Sequence, residues 1–189
     1  MYAQYLAAFG NLDEAIEQFE LALRDDPLHL LCRSQFSAVL YEAGRHVDAE
    51  TQIDSVLEID QGYGVANWYL AVFRALADQS AAVRALAERA YELRPWDTLS
   101  RGLLAGVIAR DGGDSERVAS LLADEMPGAY GAGIARAAYH LVGREVEQCA
   151  QALRHAIGEH DYRVHVLVPF VRHTPHWHAL ARTMNLPVS

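Results

Sequence analysis

The amino-acid sequence predicts an all-α fold, a solenoid built from antiparallel helix pairs. Two observations carry this. The first is a fixed period: Gly10 recurs as Gly44, Ala15 as Ala49, Ala22 as Val56 and Ala90, and Pro27, skipping one copy, as Pro95, all in steps of 34 residues. Such a period is the mark of helix-turn-helix units that stack on their neighbours to bury a continuous core. The second is that the segments between these markers place apolar residues at i, i+3, i+4 and i+7, the stripe of an amphipathic helix.

Residues 2–9 read as the end of a first helix, with Tyr2, Leu6 and Phe9 at helical spacing. Asn11 is placed to cap the next helix, and Glu14 to complete a capping box. Leu12, Ala15, Ile16, Phe19, Ala22 and Leu23 form its apolar stripe, and Asp25-Asp26-Pro27 ends it, because proline cannot donate to the helix ladder. A second pair runs from about Leu30 to Tyr63, with Leu31, Phe36, Val39 and Leu40 before a turn at Gly44 and Val47, Ala49, Ile53, Val56 and Leu57 after it. A third runs from Gly64 to Asp97 and closes at Pro95, with Asp78 where the turn glycine belongs.

Beyond residue 97 the pattern persists while the marker residues fade. A fourth pair is expected over Thr98 to about Pro127, with an inserted residue in the turn at Gly112-Gly113-Asp114, and a fifth turns at Gly143-Arg144. Glycines in the stretch 128–133 make it the poorest helix former in the chain, each costing about 1 kcal/mol relative to alanine. Val164–Phe170 is expected to be a short capping helix despite its β-branched residues, and 175–187 a last helix that Asn185 ends.

Gly10, Ala15, Phe19, Ala22 and Pro27 together resemble the second half of a tetratricopeptide (TPR) repeat. The resemblance is good over residues 1–97, degenerate over 98–157 and looser over 158–189, a carboxy-terminal cap that resembles the closing segment of such arrays; the whole of 1–189 is expected to form one array. It implies a right-handed superhelical solenoid of the kind appended to bacterial regulatory and signalling proteins. The first helix is shorter than its counterpart in the family, so either the array begins with a truncated unit or the chain is the carboxy-terminal piece of a longer protein.

Composition narrows the function classes. The 189 residues are 51% hydrophobic with a mean hydropathy of −0.04, and no run of about 18 uncharged apolar residues appears, so no membrane span is expected and the cytoplasm is the default compartment. All 16 basic residues are arginine. Residues 1–63 hold 12 Asp and Glu against 3 Arg, while 64–189 hold 13 against 13, so the whole net charge of −9 sits in the first third. That field repels phosphate backbones, and nucleic-acid binding is not expected. Cys32 and Cys149 lie 117 residues apart and read as reduced thiols.

The resemblance also implies a ligand groove lined by the first helix of each pair. Carried over by register, the family's groove positions fall on Leu31, Ser34, Ala38, Tyr41 and Glu42, then on Val65, Trp68, Val72, Ala75 and Leu76, then on Leu99, Gly102, Gly106, Ala109 and Arg110. Tyr41, Trp68 and Val72, with Arg33, Arg74, Arg101 and Arg110 nearby, are the expected binding residues for an apolar peptide or partner domain; the bland reading of Trp68 is helix packing. The rival function is a homodimerisation module, in which a second copy covers Leu6, Phe9, Leu12, Ile16 and Phe19 where the short first helix leaves them poorly covered.

Six of nine histidines lie in the last 35 residues, but only His173 and His176 have the spacing for one helix face, with Pro175 between them, so no metal site is expected. No phosphate loop, nucleophile elbow or zinc-protease helix occurs. The expected protein is a non-catalytic scaffold without cofactor.

Overall fold

A computed structural model describes residues 2–77, 80–123 and 131–186, apart from the side chains of residues 80 and 81. Every regular element among the described residues is a helix. In chain order they are α1 (Tyr2–Ala8), α2 (Leu12–Asp25), α3 (Leu30–Glu42), α4 (His46–Ile59), α5 (Gly64–Leu76), α6 (Ser80–Leu93), α7 (Thr98–Arg110), α8 (Ser115–Leu122), α9 (Ala132–Val142), α10 (Val146–Gly158), α11 (Val164–Val171) and α12 (Trp177–Thr183). The turn position at Asp78 and the Met126-Pro127-Gly128 junction lie outside the described residues. The chain divides into two compact units, Met1–Leu70 and Ala71–Ser189, with the division inside α5 rather than at residue 97 where the repeat markers fade.

The turns show why the marker glycines recur. At Gly10, Gly44 and Gly112 φ is +85°, +76° and +68°, a left-handed conformation that disfavours residues with a Cβ. Around Gly44, the Gly44 N–H donates to the Tyr41 carbonyl (3.0 Å) and the Arg45 N–H to the Leu40 carbonyl (2.8 Å). This paired closure satisfies carbonyls that the ending helix leaves open. It recurs after α9, α10 and α12 with Arg144, His160 and Asn185 in the left-handed position. Asn185 thus ends the last helix as its sequence position indicates, whereas the α9–α10 turn puts the strained conformation on Arg144 and leaves Gly143 right-handed (φ −73°).

Within the first unit, α1 packs on α2, α2 on α3 and α3 on α4. Ala15 and Ala49, one period apart, are fully buried, and their small side chains let the helices close. Phe19 and Phe36 stack with ring centroids 5.4 Å apart; burying each is worth about 1.5–3 kcal/mol. The α1 helix covers more of α2 than its length leads one to expect: Leu6, Ile16 and Phe19 are buried, and Phe9 and Leu12 are partly covered. Asn11 is the N-cap residue of α2 but its side chain makes no capping bond. Glu14 instead accepts a long 3.4 Å bond from the Tyr2 hydroxyl, so the expected capping box is not formed.

Within the second unit, α7 packs on α6, α8 and α9, and α10 on α9, α11 and α12. Glycine does the work at the tightest crossings. A Cβ built on Gly102 falls 2.0 Å from the Ala135 carbonyl oxygen, and one on Gly106 falls 2.6 Å from the Tyr139 carbonyl oxygen. Both Val164–Val171 and Trp177–Thr183 are helices, as expected for the tail. Trp177 and Leu180 are buried, Met184 is half-buried, and the Arg172 guanidinium lies 4.3 Å from the Trp177 ring centroid. Side-chain caps open two helices: Asp97 accepts from the Ser100 N–H (3.1 Å), and Asp114 from the Glu116 and Arg117 N–H groups (2.9 and 3.1 Å).

Candidate functional site

The described surface of the first unit holds a cleft of about 410 Å³ where α2, α3 and α4 meet. Leu23, Phe36 and Leu40 supply its apolar lining, while Glu20, Arg24, Arg33, Arg45, Asp48 and Gln52 supply its polar one. The volume falls within the range of small-ligand and side-chain pockets. Arg24, Arg33 and Arg45 are the only Lys or Arg residues among the first 63, and all three line this one cleft. Elsewhere on α2 and just past its end, Asp13, Glu14, Glu17, Asp25 and Asp26 are exposed. The cations of an acidic segment are therefore gathered in one concavity.

The three arginines differ in what they already hold. Arg45 is committed, its Nε donating to Asp48 Oδ2 at 2.7 Å. Arg33 donates from Nε to the Pro27 carbonyl (2.9 Å) and from Nη1 to Gln52 Oε1 (2.8 Å). These neutral acceptors orient the guanidinium and leave its charge uncompensated, and its Nη2 has no acceptor among the described residues. Arg24 is exposed, and no carboxylate of the described residues pairs with it.

This cleft is not the expected groove. At 3.6 residues per turn, Arg33, Phe36 and Leu40 share one face of α3, and the groove positions Leu31, Ser34, Ala38, Tyr41 and Glu42 lie roughly 160° around the helix. Ser34, Ala38 and Glu42 are buried, Leu31 is exposed, and Tyr41 stacks on His46 with centroids 4.4 Å apart. Trp68 and Val72 are 2% and 1% exposed. Both are packing residues in this conformation and cannot anchor a surface ligand without moving helices. In α7 the groove positions Gly102 and Gly106 face α9 at contact distance, so there the register marks a helix crossing.

The remaining predicted arginines are mostly engaged with backbone. Arg101 donates from Nε to the Leu121 carbonyl (2.9 Å) and from Nη2 to the Ala123 carbonyl (2.7 Å), at the end of α8. Arg110 donates to the Ala75 carbonyl (3.1 Å) and Arg144 to the Leu76 carbonyl (3.0 Å), both at the end of α5. Arginine suits this role, since a cation at a helix carboxy terminus meets both open carbonyls and the negative end of the dipole. Arg74 is half-buried. Arg33 alone of the predicted arginines lines the cleft.

Other chemistry-bearing groups are dispersed. Among the described residues no three His, Cys, Asp or Glu side chains gather as metal ligands. His140 Nδ1 lies 2.5 Å from Glu145 Oε2 and His155 Nε2 3.3 Å from Glu159 Oε1, each a local pair. Burial pushes the Cys149 thiol up to about 12 and also raises Cys32, so neither is an activated nucleophile. The exposed Tyr2 hydroxyl is raised mainly by the Glu14 charge, and the buried Tyr69 hydroxyl by desolvation. No helix among the described residues is long and apolar enough to cross a membrane.

The chain matches no protein-family model, and none of the curated proteins matches it.

Proposed function

We propose that this protein is a non-catalytic interaction module, a TPR-like array of helical hairpins that holds a segment of a partner protein. The observation that carries the reading is the α2–α3–α4 cleft: an apolar lining of side-chain size ringed by polar groups whose geometry is already set. Such a site captures one or two anchor side chains of a docking segment and leaves the rest of the segment on the surface. The hairpin turns repeating at Gly10 and Gly44, and the successive packing of α1 on α2, α2 on α3 and α3 on α4, support the solenoid. The binding face is thus the one beside α2 and α4, in place of the first-helix groove.

Self-association is the weaker reading. Leu6, Ile16 and Phe19 are used inside the protomer, and two copies meeting through this region would bring together two segments of charge −9.

The test is a peptide selection on the wild-type protein, counter-screened against Thr51→Trp, which places a large side chain at an exposed position in the cleft wall. The reading requires binders whose affinity falls at least tenfold on Thr51→Trp while its melting temperature holds. A selection that returns no binder, or only binders indifferent to Thr51→Trp, contradicts it.

A further inference from the structure

We infer that the cleft recognises a side-chain carboxylate, so that the docking segment carries an Asp or Glu beside a large apolar residue. The inference rests on the interaction reading above and specifies its ligand. Three observations support it. First, the charge is placed for an anion: every arginine of residues 1–63 lines the cleft, in a segment that is otherwise acidic. Chance scatter of three arginines over the first unit would leave some on its outer faces, as its acids are.

Second, the cations are not neutralised in place. Of the three, Arg45 alone has a carboxylate partner within the cleft, Asp48. Arg33 is held by a carbonyl and an amide oxygen, which fix the direction of its fork and do not cancel its charge. A guanidinium so held keeps its Nη2 N–H groups for a further acceptor, and a carboxylate is the acceptor whose geometry it matches best. Third, half-buried Leu23 lines the cleft with those arginines, above the buried Phe36 and Leu40, so an apolar neighbour of the carboxylate has Leu23 to pack against.

The same surroundings select a carboxylate over a phosphate. Glu20 and Asp48 line the cleft, and Asp25 and Asp26 stand exposed just beyond the α2 carboxy terminus. Three arginines against the two lining acids leave the cleft one formal positive charge, which a single carboxylate matches and a phosphate of nearly two negative charges exceeds. The outer acids then favour Arg or Lys in the flanks of the segment, which gives it an acidic and apolar centre with basic ends.

The experiment takes the Thr51→Trp-sensitive peptides of a random library, synthesises each with an amidated carboxy terminus, and measures fluorescence anisotropy with every Asp and Glu intact or changed to Asn and Gln. The expected result is retention on amidation and a loss of tenfold or more on the acid-to-amide change, as for a hydrogen bond to a charged group. Arg33→Met should produce the same loss and leave the amide change without further effect, since the two act on one contact. Retention of the wild-type melting temperature by Arg33→Met controls for a merely structural role. Cleft-dependent binders that lack acidic residues, loss on amidation, or tighter binding with phosphoserine in place of the acid would each overturn the carboxylate assignment and leave the interaction reading standing. A library without any Thr51→Trp-sensitive binder overturns both.

Discussion

The Gly102 Cα on α7 lies so close to the Ala135 carbonyl of α9 that a Cβ added there would stand 2.0 Å from the oxygen. No side-chain rearrangement relieves a clash with backbone. Gly102→Ala is therefore expected to destabilise the protein by about 1–3 kcal/mol, although alanine is the better helix former by about 1 kcal/mol. Gly158→Ala, at the last residue of α10 with nothing within 4 Å of its Cβ, should be neutral or slightly stabilising. Urea denaturation of the two variants checks both signs.

A Cβ on Gly44 also meets nothing within 4 Å, yet φ there is +76°. Any cost of Gly44→Ala is conformational, and about 1–2 kcal/mol is expected. His160 makes the same turn with φ +57°, so His160→Gly should relieve strain and raise the melting temperature or leave it unchanged. Thermal melts of the pair test the assignment.

Much of the array was legible in the sequence because its markers answer to backbone geometry. Gly10 and Gly44 recur since the turn needs a left-handed residue, and Ala15 and Ala49 since the helices close on them. The α9–α10 turn falls at Gly143-Arg144 as expected, with Arg144 in the left-handed place. The cleft was not legible. Its arginines come from the end of α2, the first turn of α3 and the residue before α4, and the groove register points to the opposite face of α3. Gly102 and Gly106, four apart on one helix, carried a signal of close helix crossing that the groove register obscured.

Arg163 binds both oxygens of the buried Asp161, through Nε at 2.9 Å and Nη2 at 2.7 Å, and donates to Thr98 Oγ1 at 2.7 Å. Removing its side chain takes the pairing cation from the buried carboxylate, which keeps the Arg163 backbone N–H (3.0 Å). Arg163→Met should cost about 3–5 kcal/mol, and Arg163→Met with Asp161→Asn clearly less, because the second change removes the buried charge. Denaturant titration of the two variants and the wild type measures the difference.

With the Cys149 thiol raised to about 12 from an ordinary 9, the group is protonated in folded and unfolded chains below pH about 9. Above that the unfolded thiol ionises while the folded one does not. Stability should fall as pH rises from about 9 towards 12, and Cys149→Ala should reduce that fall. In the native protein a thiol reagent should label Cys32 first and reach Cys149 on the timescale of unfolding.

The most direct measurement is a backbone amide NMR titration of the labelled protein with a Thr51→Trp-sensitive peptide. Occupancy of the cleft predicts saturable shifts centred on Leu23, Arg33, Phe36, Leu40 and Gln52. Shifts centred instead on Leu31 and Tyr41, across α3 from the cleft, would contradict it.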